Sequence, residues 1–448
     1  MRRLKKVVDR PKFATTSTSS DLHIDAANRA VMIGRVPAAD LADVDDRELL
    51  GKVLESSSGH NILDYGVWMD TTFPHVVGVF GTRGTGKSFT LGVMVENFAG
   101  HSDKATVVFD VQNQFWTMEY APDSSLEEDR AHLASLAAWN LKPKPHQDIV
   151  QWSPCHEDPL FPRARVFRLE SNQLNPNDWL SILDLERYSP MGQALIELLR
   201  KSAASDAGEL AKALAAGTLP AYQQTTIDGL RWRLDSLHEI GLVGPTGISI
   251  DELLVARRTS VFLLRNLPGS LRALVVGVLS RLLESTMSHY HQSLRSARRD
   301  HTTLDAPYLP KRLCVVLDEA HVIAPNSGRT SANSALVDYA KRGRDAGLSL
   351  VFATQQPSAV DSRLISQADL TITHALNFDA DIQAAISRMP SDSSHRYTRP
   401  SSQTSMPLAS TIRSLAPGEA IVADSSSSRI FIQLTRPRLT AHGGNVPV

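Results

Sequence analysis

The segment VVGVFGTRGTGKSFT, residues 76–90, constrains this chain more than any other. Five mostly apolar residues run into a glycine-rich loop that ends on a lysine and a serine. GTRGTGKS fits the pattern G-x-x-x-x-G-K-[ST], with Gly81, Gly86, Lys87 and Ser88 at the fixed positions. The glycines let backbone N–H groups converge on phosphate oxygens, and the following helix adds the positive end of its dipole. Such a loop works only between a strand and a helix, so a strand–loop–helix unit is predicted here. Gly81, Thr82, Arg83, Gly84, Thr85, Gly86, Lys87, Ser88 and Phe89 are the candidate nucleotide-binding residues. Lys87 is expected on the β- and γ-phosphates and Ser88 on Mg²⁺.

The same kind of apolar run recurs along the chain. HVVGVFG (75–81), ATVVFDV (105–111), SVFLLRN (260–266), RLCVVLDEA (312–320), LSLVFATQQ (348–356) and LTITHAL (370–376) are near-continuous in Val, Ile, Leu and Phe. That is the signature of strands covered on both faces of a parallel sheet. A helix is predicted between the fourth and fifth runs, over Ser334 to Asp345 and stopped near Gly347. The fold class is therefore α/β: a RecA-like P-loop core with a mainly parallel sheet. Segments between about 125 and 255 have helical periodicity and are expected to form a mainly helical insertion. Residues 1–20 read as a flexible basic tail, 21–72 as a short N-terminal subdomain and 73–448 as the core. The polar stretch 391–406 reads as loop, and EAIVADSSSSRIFIQLTR as two strands around a serine turn.

Composition narrows the class. The chain has 448 residues and a formal net charge of −1, so any contact with a polyanion must come from a local patch. The two cysteines, Cys155 and Cys314, form no zinc or disulfide framework and fit a reducing cytoplasm. No apolar run reaches membrane-spanning length; the strongest, from Leu271, carries Arg281 and Glu284 and reads as a core helix.

Three further motifs carry chemistry. CVVLDEAH brings Asp318 and Glu319 to a strand end. Asp318 is expected to hold Mg²⁺ and Glu319 to polarise an attacking water, which points to hydrolysis rather than phosphate transfer. His321 either relays between nucleotide and partner or caps the next turn. In LVFATQQPS, Gln355 or Gln356 would sense the γ-phosphate. In AKRGRDAG, Arg342 or, above all, Arg344 would reach across a subunit boundary to neutralise charge in the transition state. Only about 90 residues follow Gln356, too few for a second core of ordinary domain size, so a two-domain helicase is not expected. A single core must complete its site with a neighbour, which implies a ring. Arg329 and Arg363, on loops near the strand ends, are the candidate DNA contacts.

The order GTRGTGKS, LDEAH and KRGRDAGLSLVFATQQPS resembles the HerA branch of the HerA–FtsK ATPases. VVFDVQNQF, LNPNDWLSILDL, SLAPGEAIVADS and the terminal AHGG extend the likeness from about Phe73 to the end. The resemblance implies a cytoplasmic homo-hexamer of bacteria or archaea that uses ATP and Mg²⁺ to translocate double-stranded DNA with a partner nuclease or other effector. It places Lys87, Ser88, Asp318 and Glu319 at the family's nucleotide and catalytic positions and Gln355 or Gln356 at its sensor. It makes Arg344 the trans arginine and His442 part of a tail bracing a neighbouring subunit, over about 437–448. Two departures stand out: Asp345 replaces a basic residue that often follows the GR pair, and the family's N-terminal β-barrel is reduced before Phe73. Such short forms resemble HerA-like proteins of antiviral defence, so a second reading is a ring scaffold that binds ATP to activate an effector enzyme.

Overall fold

The computed structural model describes residues 13–15, 23–34, 47–57, 62–99, 101–202, 206–303, 309–390, 396–399, 404–427 and 429–443. Its main element is a sheet of fourteen strands. One edge begins with Arg165–Phe167, Ile149–Pro154 and Thr259–Leu263. Lys104–Asp110, Arg312–Leu317, Leu348–Thr354, Val76–Phe80 and Leu370–Thr373 follow, and these eight run parallel. Every one of the six apolar runs is a strand of this sheet. Strands 76–80, 104–110, 259–263, 348–354 and 370–373 are buried along their whole length, which is why they lack alternation. Helices cover the sheet: Lys87–Ala99 after the loop, Gly269–Arg299, and Ser331–Ala346, which ends on Gly347 in the left-handed region.

Beyond Leu370–Thr373 the sheet turns antiparallel, through Glu419–Asp424, Arg429–Thr435 and Arg47–Val53, and continues with Gly66–Asp70, Ala30–Ile33 and His23–Asp25. The expected N-terminal subdomain over 21–72 is thus corrected. Its described strands form no separate closed barrel: His23–Asp25, Ala30–Ile33, Arg47–Val53 and Gly66–Asp70 extend the core sheet, and Glu55–Ser57 joins a second, four-stranded sheet. The junction is Gln433↔Val53, Leu434↔Lys52 and Thr435↔Gly51. Gly51 is required there, since a Cβ would sit 2.3 Å from the Leu434 carbonyl oxygen. Lys52, fully buried, pairs with Asp64 at 3.1 Å and lies over the Trp139 ring at 5.1 Å.

Three smaller expectations also change. The tail 1–20 lies mostly outside the described residues, but Phe13–Thr15 is a strand between Glu55–Ser57 and Arg396–Arg399. The stretch 391–406, read as loop, contains a hairpin of Arg396–Arg399 with Thr404–Pro407. Tyr397, fully buried, anchors it among polar neighbours that mask the signal. Within 125–255, helix Glu127–Ala138 comes first, the strands at 149–154 and 165–167 belong to the main sheet, and the remaining helices begin at Pro176. From there Pro176–Ile182, Pro190–Lys201, Ala207–Ala215 and Gln224–Ile240 pack as predicted helices.

Glu55 ties the two sheets together. Its carboxylate accepts from Ile432 N at 2.9 Å and bonds Tyr397. Burial pushes its pKa up to about 8. A raised carboxyl pKa adds stability at low pH that is lost as pH rises through the folded value. Wild type is therefore expected to lose stability relative to Glu55→Gln between about pH 5 and 8. Urea unfolding across that range measures the difference, and parallel curves would contradict it.

Candidate functional site

The strand Val76–Phe80 delivers the loop to the carboxyl edge of the sheet. Gly84 and Gly86 have φ of +80° and +109°, backbone that other residues adopt only with strain. The loop is held from both sides. Thr82 donates its N–H and hydroxyl to the Ala375 carbonyl at 2.9 and 3.1 Å, and Gly418 N donates to Thr85 O at 3.0 Å. Helix Lys87–Ala99 begins at the lysine itself, so its unpaired N–H groups and dipole face the loop.

Lys87 lies between the two predicted acids. Its Nζ is 3.0 Å from Asp318 Oδ1 and 3.4 Å from Glu319 Oε1, with all three side chains at most 5% exposed. Burial pulls the lysine pKa down, but Asp318 and Glu319 outweigh it and hold the ammonium above its ordinary range. Asp318 ends the strand Arg312–Leu317, and Glu319 adopts φ 51°, ψ 49°. A left-handed glutamate costs free energy and persists only where its surroundings impose it. Gln355 imposes part of it by donating its amide to Glu319 Oε1 at 2.5 Å. His321 Nδ1 is 3.4 Å from Glu319 Oε2 and 3.2 Å from Thr354 Oγ1. Burial holds His321 below the ordinary imidazole range.

The donor set fits Mg²⁺. Asp318 Oδ2 is buried with no hydrogen-bond partner among the described residues, and two carboxyl groups share one ammonium. Asp318 and the Ser88 hydroxyl are the residues that would hold the ion, a hard cation that takes oxygen ligands. When bound it supplies positive charge against phosphate oxygens.

A second layer, not legible in the motifs, fixes the loop helix. Fully buried His374 lies under the loop: Nδ1 donates to the Glu419 carbonyl at 2.9 Å, and Thr90 Oγ1 donates to Nε2 at 2.9 Å. Burial pushes its pKa down to about 4, so it stays neutral. Gly81 must be glycine because a Cβ would meet His374 Cβ at 2.8 Å. The chain after Thr435 straps the same helix. Arg436 pairs with Glu96 at 2.7 Å, and Leu439 N, Thr440 N and the Thr440 hydroxyl all donate to Glu96 Oε1. Arg438, fully buried, crosses Gly92, where a Cβ would approach the guanidinium to 2.6 Å. Polar side chains inside apolar runs, His374 in LTITHAL and Thr90 in SFTL, were the available signal. Asp110 was missed as well; burial raises its pKa to about 7 beside the site.

The remaining predicted residues separate. Phe89 packs its ring against His132 and His442 at 5.6 and 5.5 Å between centroids. His442, expected to reach a neighbouring subunit, is thus seated in its own chain, where Arg438 also bonds its Nδ1 at 3.0 Å. The strap, anchored by Glu96, carries it there; residues 444–448 lie outside the described residues. Gln356 is exposed and Gln355 is the amide on the acids. Arg342 pairs with Glu284 at 3.2 Å, whereas Arg344 is exposed and has no ion pair among the described residues. Arg344 lies near the end of helix Ser331–Ala346, beside the start of strand Leu348–Thr354. That is roughly 20 Å from the strand's carboxyl end, at about 3.3 Å per residue. It cannot serve its own loop. Arg363 is held by Asp361 at 2.7 Å, which draws that carboxyl down to about 2. Arg329 is exposed on the rim of a polar cavity of about 600 Å³ between the insertion and helices 269–299 and 331–346.

The family described as "Helicase HerA, central domain" matches residues 50–316. No curated protein matches the sequence. Among solved structures, the plasmid coupling protein TrwB in complex with ADP and Mg²⁺ is 14% identical, covering 83% of this chain and 86% of that one at a TM-score of 0.51. VirB4 of Thermoanaerobacter pseudethanolicus is 14% identical, covering 87% of this chain and 96% of that one at a TM-score of 0.50. At that identity the likeness is one of fold. No helix of the described residues is long and apolar enough to cross a membrane.

Asp318→Asn is expected to abolish the Mg²⁺-dependent gain in nucleotide affinity, read by titrating a fluorescent ATP analogue with and without Mg²⁺. An undiminished gain would place the metal elsewhere.

Proposed function

This chain belongs to the HerA family, and from that premise we propose that it is an ATP-hydrolysing ring whose sites are shared between subunits. The observation that carries the reading is the buried cluster of Lys87, Asp318, Glu319 and Gln355 at the loop. A phosphate entering the loop draws the Lys87 ammonium off the two acids. Glu319 is then free to accept a proton from water, while Gln355 keeps its carboxylate aimed. Loss of the γ-phosphate lets Lys87 return, so Gln355 and strand 348–354 feel hydrolysis through Glu319.

Arg344 completes the site from a neighbour. Its position at the opposite sheet edge and its lack of an ion pair among the described residues support that role over Arg342, which Glu284 already neutralises. The product of the cycle is movement or remodelling of double-stranded DNA together with a partner nuclease or other effector. The scaffold reading differs in its coupling: ATPase activity would respond to the effector and ignore duplex DNA.

Glu319→Gln is expected to keep nucleotide binding and lose about 10²–10⁴-fold in ATPase rate, the usual share of a general base. Full turnover by this variant would remove Glu319 from the reaction. Arg344→Ala subunits titrated into wild type should depress ATPase activity more steeply than their mole fraction. Rings made only of Arg344→Ala subunits that hydrolyse ATP at the wild-type rate would remove Arg344 from the site. Stimulation of the wild-type rate by duplex DNA separates the motor from the scaffold.

A further inference from the structure

The loop helix Lys87–Ala99 ends against a polar cavity of about 510 Å³. At about 1.5 Å of rise per residue, that end is roughly 18 Å from Lys87. The other walls are the segment 144–148 before strand Ile149–Pro154, the turn before strand Thr259–Leu263, and Leu439 and Thr440 of the strap. Neither Arg344 nor any residue of the nucleotide loop lines it. Lys144 N donates to the Leu439 carbonyl at 2.8 Å, and Thr259 N donates to the Asp148 carbonyl at 3.0 Å, so the walls are fixed to one another.

The charges in this cavity do not cancel. Both of its acids are already occupied. Glu96 pairs with Arg436 and accepts from the strap, and Asp148 pairs with Arg258 at 3.3 Å. Its two cations, Lys144 and Arg257, come from different segments and are exposed. Neither side chain has a hydrogen bond or an ion pair among the described residues. Between the walls, His146 bonds the Thr259 hydroxyl through Nε2 at 2.9 Å. Burial, with Lys144 beside it, holds His146 below its ordinary range against the pull of Glu96. The imidazole is therefore neutral near neutral pH and adds no competing charge.

Arg257 also stands in backbone that disfavours it, with φ at +68°. Glycine adopts that conformation without steric cost, and Asp or Asn tolerates it; for arginine it costs free energy. The turn is held in this shape by the Arg257 N–H, which donates to the Lys104 carbonyl at 2.6 Å. No polar contact of the guanidinium among the described residues offsets the cost. Residues held in such backbone cluster where a side chain serves a ligand.

We propose that this cavity binds a small phosphate monoester, with Arg257 and Lys144 on the phosphate oxygens. Two free cations match a group that carries close to two negative charges at neutral pH. A planar guanidinium fork beside an ammonium suits phosphate geometry. The volume is that of a small-molecule site. Occupancy requires no hydrolysis, so the proposal stands apart from the catalytic reading.

The test uses the full chain saturated with a non-hydrolysable ATP analogue and Mg²⁺, which fills the nucleotide loop. Ribose 5-phosphate is titrated in and followed by calorimetry, with ribose as the uncharged control. Wild type should bind ribose 5-phosphate and not ribose. Arg257→Gly should lose about tenfold or more in affinity, the usual share of a charge-assisted hydrogen bond. Without ligand it should melt above wild type, because it relieves the left-handed backbone. Lys144→Gln should also bind more weakly, with its melting temperature unchanged, and Arg257→Lys should keep most of the affinity. All three should keep wild-type affinity for the ATP analogue, which separates failure of this site from damage to the nucleotide loop. Wild type that does not bind ribose 5-phosphate, or Arg257→Gly with unaltered affinity, would overturn the proposal. So would a glycine variant that melts below wild type, since the arginine would then be structural. Displacement of ribose 5-phosphate by short duplex DNA would assign the cations to nucleic acid and likewise overturn it.

Discussion

One ammonium serves two buried carboxyl groups. Lys87 arrives on a glycine loop from one strand, and Asp318 and Glu319 arrive from another, with Leu348–Thr354 lying between them. Burying charges costs several kcal/mol per ion unless each is paired in good geometry, so this cluster holds only if both strand ends are placed closely. The left-handed backbone at Glu319 adds to that demand. Gln355, at the end of the intervening strand, meets it by binding the glutamate directly. The parallel sheet is what puts a lysine, two acids and an amide within one cluster, and a slip of one residue in register would scatter them.

The rest of the chain holds that arrangement still. His374 and Gly418 brace the loop from the antiparallel side of the sheet, and the strap after Thr435 is bound along the loop helix through Glu96 and Arg438. His374 has its tautomer set by the Glu419 carbonyl and its protonation set by burial, so the brace does not loosen near neutral pH. Strand Arg429–Thr435 also pairs with Arg47–Val53. The N-terminal strands are thereby coupled, through one shared strand, to the same elements that back the nucleotide loop.

Much of the site was legible because its chemistry follows a few sequence rules. The P-loop, the acid pair and the choice of amides fall at strand ends, and buried parallel strands announce themselves as apolar runs. Gln355 could be told from Gln356 only in three dimensions, since which amide faces the acids depends on how the chain leaves the strand. Antiparallel extensions were harder to see. Arg47–Val53 mixes Arg, Glu, Gly and Lys with its apolar residues, and Lys52 is buried only because Asp64 and Trp139 receive it. The hairpin at 396–407 hides one buried tyrosine among polar residues. The place of His442 beside Phe89 and Arg438 follows from Glu96 holding the strap along the loop helix, a long-range contact that the tail's motif does not show.

The central claim is that the nucleotide site is shared between subunits, since Arg344 stands too far from its own loop to act there. The most direct test is ATPase activity per subunit measured over a dilution series, with assembly state followed in parallel by analytical ultracentrifugation. The account predicts that specific activity rises from near zero in step with ring formation. Constant specific activity at concentrations where the protein is monomeric would contradict it.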